Sequence, residues 1–119
     1  MYIMRGPEQY VGQIICDGHC VSFLQWEADA PNTSLWERGK LAKEFGSIRG
    51  TCIATFSDNG IYENNTDGTS HAAVYIGQDE TGLIVYDQWQ GHPVSQRTIR
   101  FQNGDSLPCD DGDQYYIIA

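Results

Sequence analysis

The sequence predicts an α+β domain in which helices come first and an antiparallel sheet follows. Two observations support this class. Apolar residues at helical spacing are confined to the first part of the chain, and short β-rich runs separated by turn residues fill the rest. This order does not suit alternating strands and helices. A chain of 119 residues has the size of one domain, so we expect a single domain over residues 1–119.

The first predicted helix lies in CVSFLQWEA, and Cys20 is expected to open it. Val21, Leu24 and Ala28 fall at helical spacing, and the segment before Cys20, GQIICDGH, contains glycines typical of a loop. The sequence therefore predicts a cysteine at a helix N-terminus.

A second short helix is predicted after the break at Pro31. Ser34 followed three positions later by Glu37 fits a capping box, and glycines then end the helical character. The apolar residues of this helix would be Leu35, Trp36 and Leu41, and the terminating glycines would be Gly46 and Gly50.

Five β-rich runs are expected to build the antiparallel sheet. In chain order they are TCIATF, HAAVYIG, LIVYDQW, PVSQRTIRF and QYYIIA. A polar loop from Ser57 to Ser70 separates the first two runs, and QDETG is a plausible turn between the next two.

The hairpin from His71 to Trp89 is the most informative part of this pattern. If its turn is centred near Asp79 or Glu80, paired residues share parity. His71 and Asp87 would then lie at one end of the hairpin on the same face, opposite or diagonal to each other. A slip of one residue in the register would separate them.

Cys20, His71 and Asp87 together suit nucleophilic catalysis. A helix N-terminus favours a thiolate, and an imidazole can take the thiol proton and return it to a leaving amine. A carboxylate on the other ring nitrogen would orient that imidazole. The backbone N–H of Cys20 would point at the oxyanion of a tetrahedral intermediate, and Gly18 would allow close approach of substrate.

Three segments carry a family resemblance. GHCVSFLQ, SHAAVYIG and VYDQW resemble the catalytic blocks of NlpC-type and CHAP (cysteine, histidine-dependent amidohydrolase/peptidase) enzymes. NTSLWERGKL, GTCIATF, GIYENN and the closing DGDQYYII are similar to a compact subfamily of small bacterial amidases that includes type VI secretion amidase effectors. The resemblance covers most of the chain.

The resemblance implies a minimal papain-like fold and cleavage of an amide bond in or next to the peptidoglycan stem peptide, without a cofactor or metal. Cys20 is then the nucleophile, His71 the base and Asp87 the third member. These families often carry His, Asn, Gln or Glu at the third position, so Gln88 or Asn64 could replace Asp87. The expected substrate contacts are Gly18, His19, Gln88 and Trp89.

Charge and segment composition constrain the partners. The net charge of −9 argues against nucleic acid, and no apolar run is long enough for membrane insertion. The N-terminus lacks the apolar stretch of a signal peptide, so we expect synthesis in the cytoplasm and delivery to the periplasm or cell wall by a secretion system. A producing cell would then need an immunity protein, and an acidic surface suits a basic one.

Several alternatives remain open on the sequence. The chain could be a phage lysis enzyme, a papain-like hydrolase of a host protein, or a non-catalytic binding domain with the same fold. A Cys2His2 zinc set and a disulfide are further possibilities, and the loop CDDGD is expected to be a solvated turn rather than a calcium site. The zinc set would be Cys16, His19, Cys20 and His71, and the disulfide would join two of Cys16, Cys52 and Cys109. The expected core or cleft tryptophans are Trp26, Trp36 and Trp89.

Overall fold

A six-stranded antiparallel sheet forms the centre of the structure, a computed structural model that describes residues 1–45 and 48–119. The strands are β1 Arg38–Leu41, β2 Thr51–Thr55, β3 Ala72–Gln78, β4 Gly82–Trp89, β5 His92–Arg100 and β6 Tyr115–Ile118. Their order across the sheet is β1-β6-β2-β3-β4-β5, and every pair of neighbours is antiparallel. The predicted α+β class and antiparallel sheet are confirmed.

Two α-helices accompany the sheet in the described part of the chain. Helix α1 is Cys20–Glu27 and helix α2 is Ala42–Phe45. Short 3₁₀ turns occur at Pro7–Tyr10, Thr33–Leu35, Pro108–Asp110 and Gly112–Gln114. Within residues 1–45 and 48–119, no helix has the length and apolar character needed to cross a membrane.

Apolar side chains cover both faces of the sheet. Alternate side chains of a strand point to opposite faces, so strand residues divide into two sets. One set packs with α1 and includes Cys52, Ala54, Ala72, Val74, Tyr86 and Val94. The other set packs with Ala42 of α2 and includes Ile53, Ala73, Tyr75, Leu83, Val85, Ile99, Tyr115 and Ile117. All five residues of β2 are therefore buried, as expected of a strand covered on both sides.

The predicted second helix is wrong. Its segment forms a 3₁₀ turn, then strand β1, and only afterwards the short helix α2. The Asn32 side chain caps the 3₁₀ turn by accepting a hydrogen bond from the backbone N–H of Ser34, so Ser34 does not open a capping box. Strand β1 forms because β6, from the far end of the chain, pairs with it. Gly46, one of the glycines expected to end the helix, lies outside the described residues.

The hairpin of β3 and β4 reaches the predicted arrangement through a bulge. Next to the turn, Gln78 pairs with Leu83, which joins residues of opposite parity. The register then shifts between Tyr75 and Gly77, and Tyr75 pairs with Val85. The β-bulge therefore restores the shared parity that brings His71 and Asp87 to one face.

The loop CDDGD is not the solvated turn that was expected. Asp111 is fully buried, and its carboxylate accepts hydrogen bonds from the backbone N–H groups of Gln102, Gly104 and Asp113 at 2.7–2.9 Å. Burial raises the pKa of Asp111, but these backbone donors outweigh burial and lower it. The carboxylate thus holds the chain segment between β5 and β6 in place.

The state of the cysteines and the exposure of one tryptophan differ from what the sequence predicts. All four cysteines are free thiols: Cys16 is exposed, Cys20 and Cys109 are half-buried, and Cys52 is buried. Hence none of the disulfides left open by the sequence is present among them. Trp36 is buried as predicted, whereas the side chain of Trp26, on the outer side of α1, is 66% exposed and belongs to neither core nor cleft.

Candidate active site

Cys20 is the first residue of α1, as the sequence predicts. His19 precedes it as the N-cap residue in an extended conformation, with φ −73° and ψ 150°. Among the described residues, no acceptor lies in hydrogen-bonding position for the backbone N–H of Cys20. The half-buried thiol therefore lies at the positive end of a helix, beside a backbone donor that is not engaged by the protein.

The loop before Cys20 is held by the end of β4. Gln88 is fully buried; its Oε1 accepts from the backbone N–H of Ile15, and its Nε2 donates to the carbonyls of Ile15 and His19, each at 2.9 Å. Gln90 adds a hydrogen bond from Nε2 to the carbonyl of Asp17 at 2.6 Å. These contacts fix the position from which α1 begins.

Gly18 serves the packing of this loop. Its φ of +85° lies in the left-handed region, and a Cβ there would approach the Ile14 side chain at 3.3 Å and Gln90 at 3.6 Å. The residue is buried and does not line the cleft. The predicted role of Gly18 in substrate approach is therefore replaced by a conformational role in the loop.

His71 and Asp87 meet at one end of the hairpin. His71 Nε2 lies 2.6 Å from Asp87 Oδ2, a hydrogen bond between two buried side chains. Since Nε2 faces the carboxylate, Nδ1 is the ring nitrogen that remains to exchange a proton with a nucleophile. The backbone N–H of His71 is in turn held by Thr55 Oγ1 at 3.0 Å.

Arg97 extends this pair. Its Nε donates to both carboxylate oxygens of Asp87, at 3.1 and 2.8 Å, and Asp87 itself is fully buried. Arg97 pairs with Val85 across β4 and β5, one step of alternation from Asp87, so the two side chains share a face. The buried carboxylate is thus paired with a guanidinium as well as an imidazole.

The Cys20 thiol and the His71 imidazole shift each other's pKa. Burial raises the pKa of the thiol, but the hydrogen bond and positive charge of His71 outweigh burial, and the pKa lies below its ordinary value. Burial lowers the pKa of His71, while hydrogen bonds to Asp87 and Cys20 raise it, to about 9. Both shifts favour a thiolate beside an imidazolium.

Tyr62 supplies a further contact to the sulfur. Its Oη lies 3.8 Å from Cys20 Sγ. Burial, and then the neighbouring Cys20, raise the pKa of Tyr62 well above its ordinary value, so the phenol remains a neutral donor. Its ring packs on Trp36 with centroids 4.7 Å apart. The hydroxyl can therefore stabilise negative charge on the sulfur.

These side chains open onto a cleft of about 380 Å³. Its wall is formed by the start of α1, the polar loop before β3, the end of β4 and the turn after it, the middle of β5, and the segment after β5. The lining residues are His19, Cys20, Asn64, Asn65, Thr66, Gly68, Ser70, His71, Trp89, Gln90, Arg97, Cys109 and Asp110. A peptide-sized ligand would reach the thiol and the imidazole from this cleft.

The structure brings together Cys20, His71 and Asp87, the three residues expected to form a triad. His19 and Trp89, two of the four expected substrate contacts, line the cleft, as does Asn64, an alternative third member. Gln88 does not reach the cleft.

Gln88 and the zinc alternative both need correction. Neighbouring residues of a strand point to opposite faces, so Gln88 points away from Asp87 and its polar atoms bind the backbone before Cys20. It is therefore neither a substrate contact nor a partner of His71. Across residues 1–45 and 48–119, no three His, Cys, Asp or Glu side chains converge closely enough to hold a metal ion, so Cys16, His19, Cys20 and His71 are not arranged as a Cys2His2 cluster.

Sequence reasoning missed Arg97 and Tyr62. Arg97 lies in the run PVSQRTIRF, where alternation from Ile99 assigns it to the same face as Asp87, so the signal was present once the β4–β5 register was known. Tyr62 lies in the long polar loop, where no periodicity predicts the direction of a side chain.

The pKa shifts predict two different pH profiles. Alkylation of Cys20 by iodoacetamide is expected to begin at lower pH than alkylation of free cysteine, whose pKa is about 8.5, because His71 favours the thiolate. Amide hydrolysis is expected to rise over the same range and to fall as the pH passes about 9, where His71 loses the proton that it must donate. Peptide-resolved mass spectrometry measures the alkylation of Cys20 at each pH, and the hydrolysis rate is measured over the same pH range.

Cys52 and a His71→Gln variant are the controls for these profiles. Burial raises the pKa of the Cys52 thiol to about 12, so this cysteine should resist labelling throughout. In His71→Gln the labelling curve of Cys20 should move to higher pH. An unchanged curve would mean that His71 does not lower the thiol pKa.

With this geometry defined, comparison with known proteins identifies relatives. The family model described as "Domesticated amidase effector 2" matches residues 2–118. The chain is 39% identical to a type VI secretion amidase effector 2 protein of Salmonella typhi over an alignment of 114 residues, and the match covers 83% of this chain and 83% of that protein. It is 41% identical to domesticated amidase effector 2 of Ixodes scapularis over 88 residues, and the match covers 72% of this chain and 58% of that protein.

A solved structure gives the same result at the level of fold. The structure of a type 6 secretion amidase effector 2 superposes with a TM-score of 0.81 and 29% sequence identity, covering 98% of this chain and 93% of that chain. The expected relationship to type VI secretion amidase effectors is thereby confirmed. The match extends over nearly the whole sequence, and the chain belongs to the domesticated amidase effector 2 family.

Proposed function

We propose that this protein is a cysteine amidase that cleaves an amide bond in or next to the peptidoglycan stem peptide, and that it is an antibacterial effector. The observation that carries the proposal is the thiol of Cys20 at a helix N-terminus beside the buried His71–Asp87 pair, in a chain of an amidase effector family. The names of the relatives support the substrate class and the effector role.

The proposed reaction proceeds through an acyl-enzyme. The Cys20 thiolate attacks the carbonyl carbon, and the backbone N–H of Cys20 stabilises the oxyanion. His71 then protonates the leaving amine as the C–N bond breaks and a thioester remains. Water, deprotonated by His71, attacks the thioester and releases the carboxylic acid, which regenerates the thiol and imidazole. Asp87 orients the imidazole throughout.

A papain-like relationship to NlpC and CHAP enzymes is part of the proposal. It is supported by the chain order of the three groups, with the cysteine opening α1, the histidine before β3 and the acid on β4. Residues 1–119 would then constitute one hydrolase domain. The proposed steps need a thiol, an imidazole, a carboxylate and water, and no cofactor.

An immunity protein is the proposed partner in a producing cell. A cell that makes a cell-wall amidase for delivery through type VI secretion is exposed to the same enzyme from its neighbours. The net charge of −9 favours a basic inhibitor that would cover the cleft. No nucleic acid or membrane is required for activity.

Digestion of purified sacculi tests the proposed function. We expect the protein to release new muropeptides, and mass spectrometry with primary-amine labelling should show one new amine for each bond that is cut. New reducing sugar ends without new amines would contradict amide hydrolysis. Casein and a cytosolic protein extract serve as comparison substrates; their cleavage with intact sacculi would support the host-protein alternative instead.

A further inference from the structure

The guanidinium of Arg97 is only partly used by the protein. Its Nε donates to both oxygens of Asp87, which holds the plane of the group in one orientation. Among the described residues, its two terminal amino groups, Nη1 and Nη2, make no hydrogen bond. The side chain remains 27% exposed and lines the cleft together with Cys20 and His71.

Aromatic packing fixes the same group from another side. The guanidinium carbon of Arg97 lies 5.1 Å from the centroid of the Trp89 ring. Trp89 is stacked on His92, with ring centroids 4.0 Å apart and an interplanar angle of 15°. Such a guanidinium loses little conformational entropy when it binds a further ligand.

The charges around the cleft favour an anionic ligand at this point. Arg97 is the single lysine or arginine among the described residues that line the cleft, and Asp110 is the acidic one. No ion pair joins Arg97 to Asp110 within 4.0 Å. A protein with a net charge of −9 repels anions in general, so a substrate carboxylate needs a local cation such as this one.

We infer that Nη1 and Nη2 of Arg97 bind a carboxylate of the substrate, so that the protein selects peptides with a free carboxylate near the scissile amide. This inference rests on the proposed function and deepens it. A planar guanidinium with two parallel donors matches the two oxygens of a carboxylate. Arg97 would then have two roles: its Nη1 and Nη2 select the substrate, and its Nε holds Asp87 in place.

The test compares muropeptides that carry free carboxylates with the same muropeptides amidated by carbodiimide and ammonium chloride. For the wild-type protein, amidation should lower kcat/KM by roughly 10- to 100-fold, mainly through KM, since a charge-assisted pair is lost. In Arg97→Gln the two substrates should be hydrolysed at nearly equal kcat/KM, while Arg97→Lys should keep part of the preference because the charge remains. A wild-type preference that persists unchanged in Arg97→Gln would overturn the inference.

The ratio of kcat/KM for the carboxylate substrate to kcat/KM for the amidated substrate distinguishes substrate binding by Arg97 from its effect on Asp87. Tyr62→Phe is the matched variant, because it removes the hydroxyl beside the Cys20 sulfur and leaves the hydrogen bonds between Arg97 and Asp87 in place. It should slow hydrolysis of both substrates and leave their ratio close to that of the wild type. Asp110→Asn should increase the preference, since it removes the acidic group that shares the cleft. Circular dichroism and thermal unfolding establish that each variant is folded.

Binding to Cys20→Ala keeps the inference independent of turnover. Isothermal titration calorimetry should give a Kd for the carboxylate form roughly 10- to 100-fold below that of the amidated form, and adding Arg97→Gln should abolish the difference. Equal affinities in Cys20→Ala would overturn the inference. If the wild-type protein hydrolyses neither substrate but Cys20→Ala still binds the carboxylate form more tightly than the amidated form, only the proposed amidase function is contradicted.

Discussion

Replacement of Cys20 by alanine is expected to lower the release of muropeptides from sacculi by at least about 10⁴-fold, because the nucleophile of the acyl-enzyme step is lost. The helix, the loop held by Gln88 and the cleft need not change, since Cys20 is half-buried and alanine suits a helix. Quantitative chromatography of the released muropeptides, with thermal unfolding alongside, measures both expectations.

Cys16→Ala is the control for this variant. Cys16 lies in the loop before α1, is exposed, and is a free thiol like Cys20. It should retain activity close to that of the wild type. Wild-type activity in Cys20→Ala would contradict cysteine catalysis and favour another nucleophile.

Asp87→Asn is expected to reduce kcat by about 10²- to 10⁴-fold with a small change in KM. Asparagine preserves the shape of the side chain but cannot stabilise the imidazolium of His71 or hold its ring in the required tautomer. The free energy of unfolding should also fall by about 1–3 kcal/mol, because Arg97 loses a buried anionic partner. Steady-state kinetics and denaturant titration separate the two effects.

Asn64→Ala is the matched control, because Asn64 is the alternative third member that also lines the cleft. It should change kcat by less than tenfold, which is well below the effect of Asp87→Asn. The reverse order of effects would assign the third position to Asn64. Loss of activity in both variants with loss of folding in Asp87→Asn would leave Asp87 as a stabilising residue only.

Local sequence patterns predicted much of the fold. Apolar spacing and the glycines before Cys20 predicted the start of α1, and the five β-rich runs became β2 to β6 within one or two residues at each end. These elements were predictable because periodicity and turn chemistry act over a few residues, and here they agree with the tertiary structure.

Long-range pairing explains the main error in the fold. Residues 34–41 carry a capping-box pattern, but Arg38 and Leu41 pair with Ile118 and Tyr116 of β6, which lie 80 and 75 positions later in the sequence. A four-residue strand at a sheet edge leaves little pattern of its own. Only knowledge of the β6 partner would have distinguished it from a short helix.

The candidate site also combines residues that local patterns predict with contacts that depend on long-range strand pairing. Cys20, His71 and Asp87 were named from motif order, yet their meeting depends on a bulge between Tyr75 and Gly77 that no residue pattern predicts. Arg97 escaped notice because its contact with Asp87 crosses a second hairpin. Residues that act through a neighbouring strand are visible only once the register of the sheet is known.

Asp87 and Gln88 are consecutive on β4 and serve opposite sides of the sheet: one orients the imidazole, and the other clamps the loop before the thiol. A molecule in which β4 has slipped by one residue would lose both the hydrogen bond between Asp87 and His71 and the hydrogen bonds between Gln88 and the loop before Cys20. Misregistered chains should therefore be inert rather than weakly active, and active-site titration of a refolded sample should count its correctly folded molecules. Specific activity per mole of thiolate would then stay constant while the refolding yield varies.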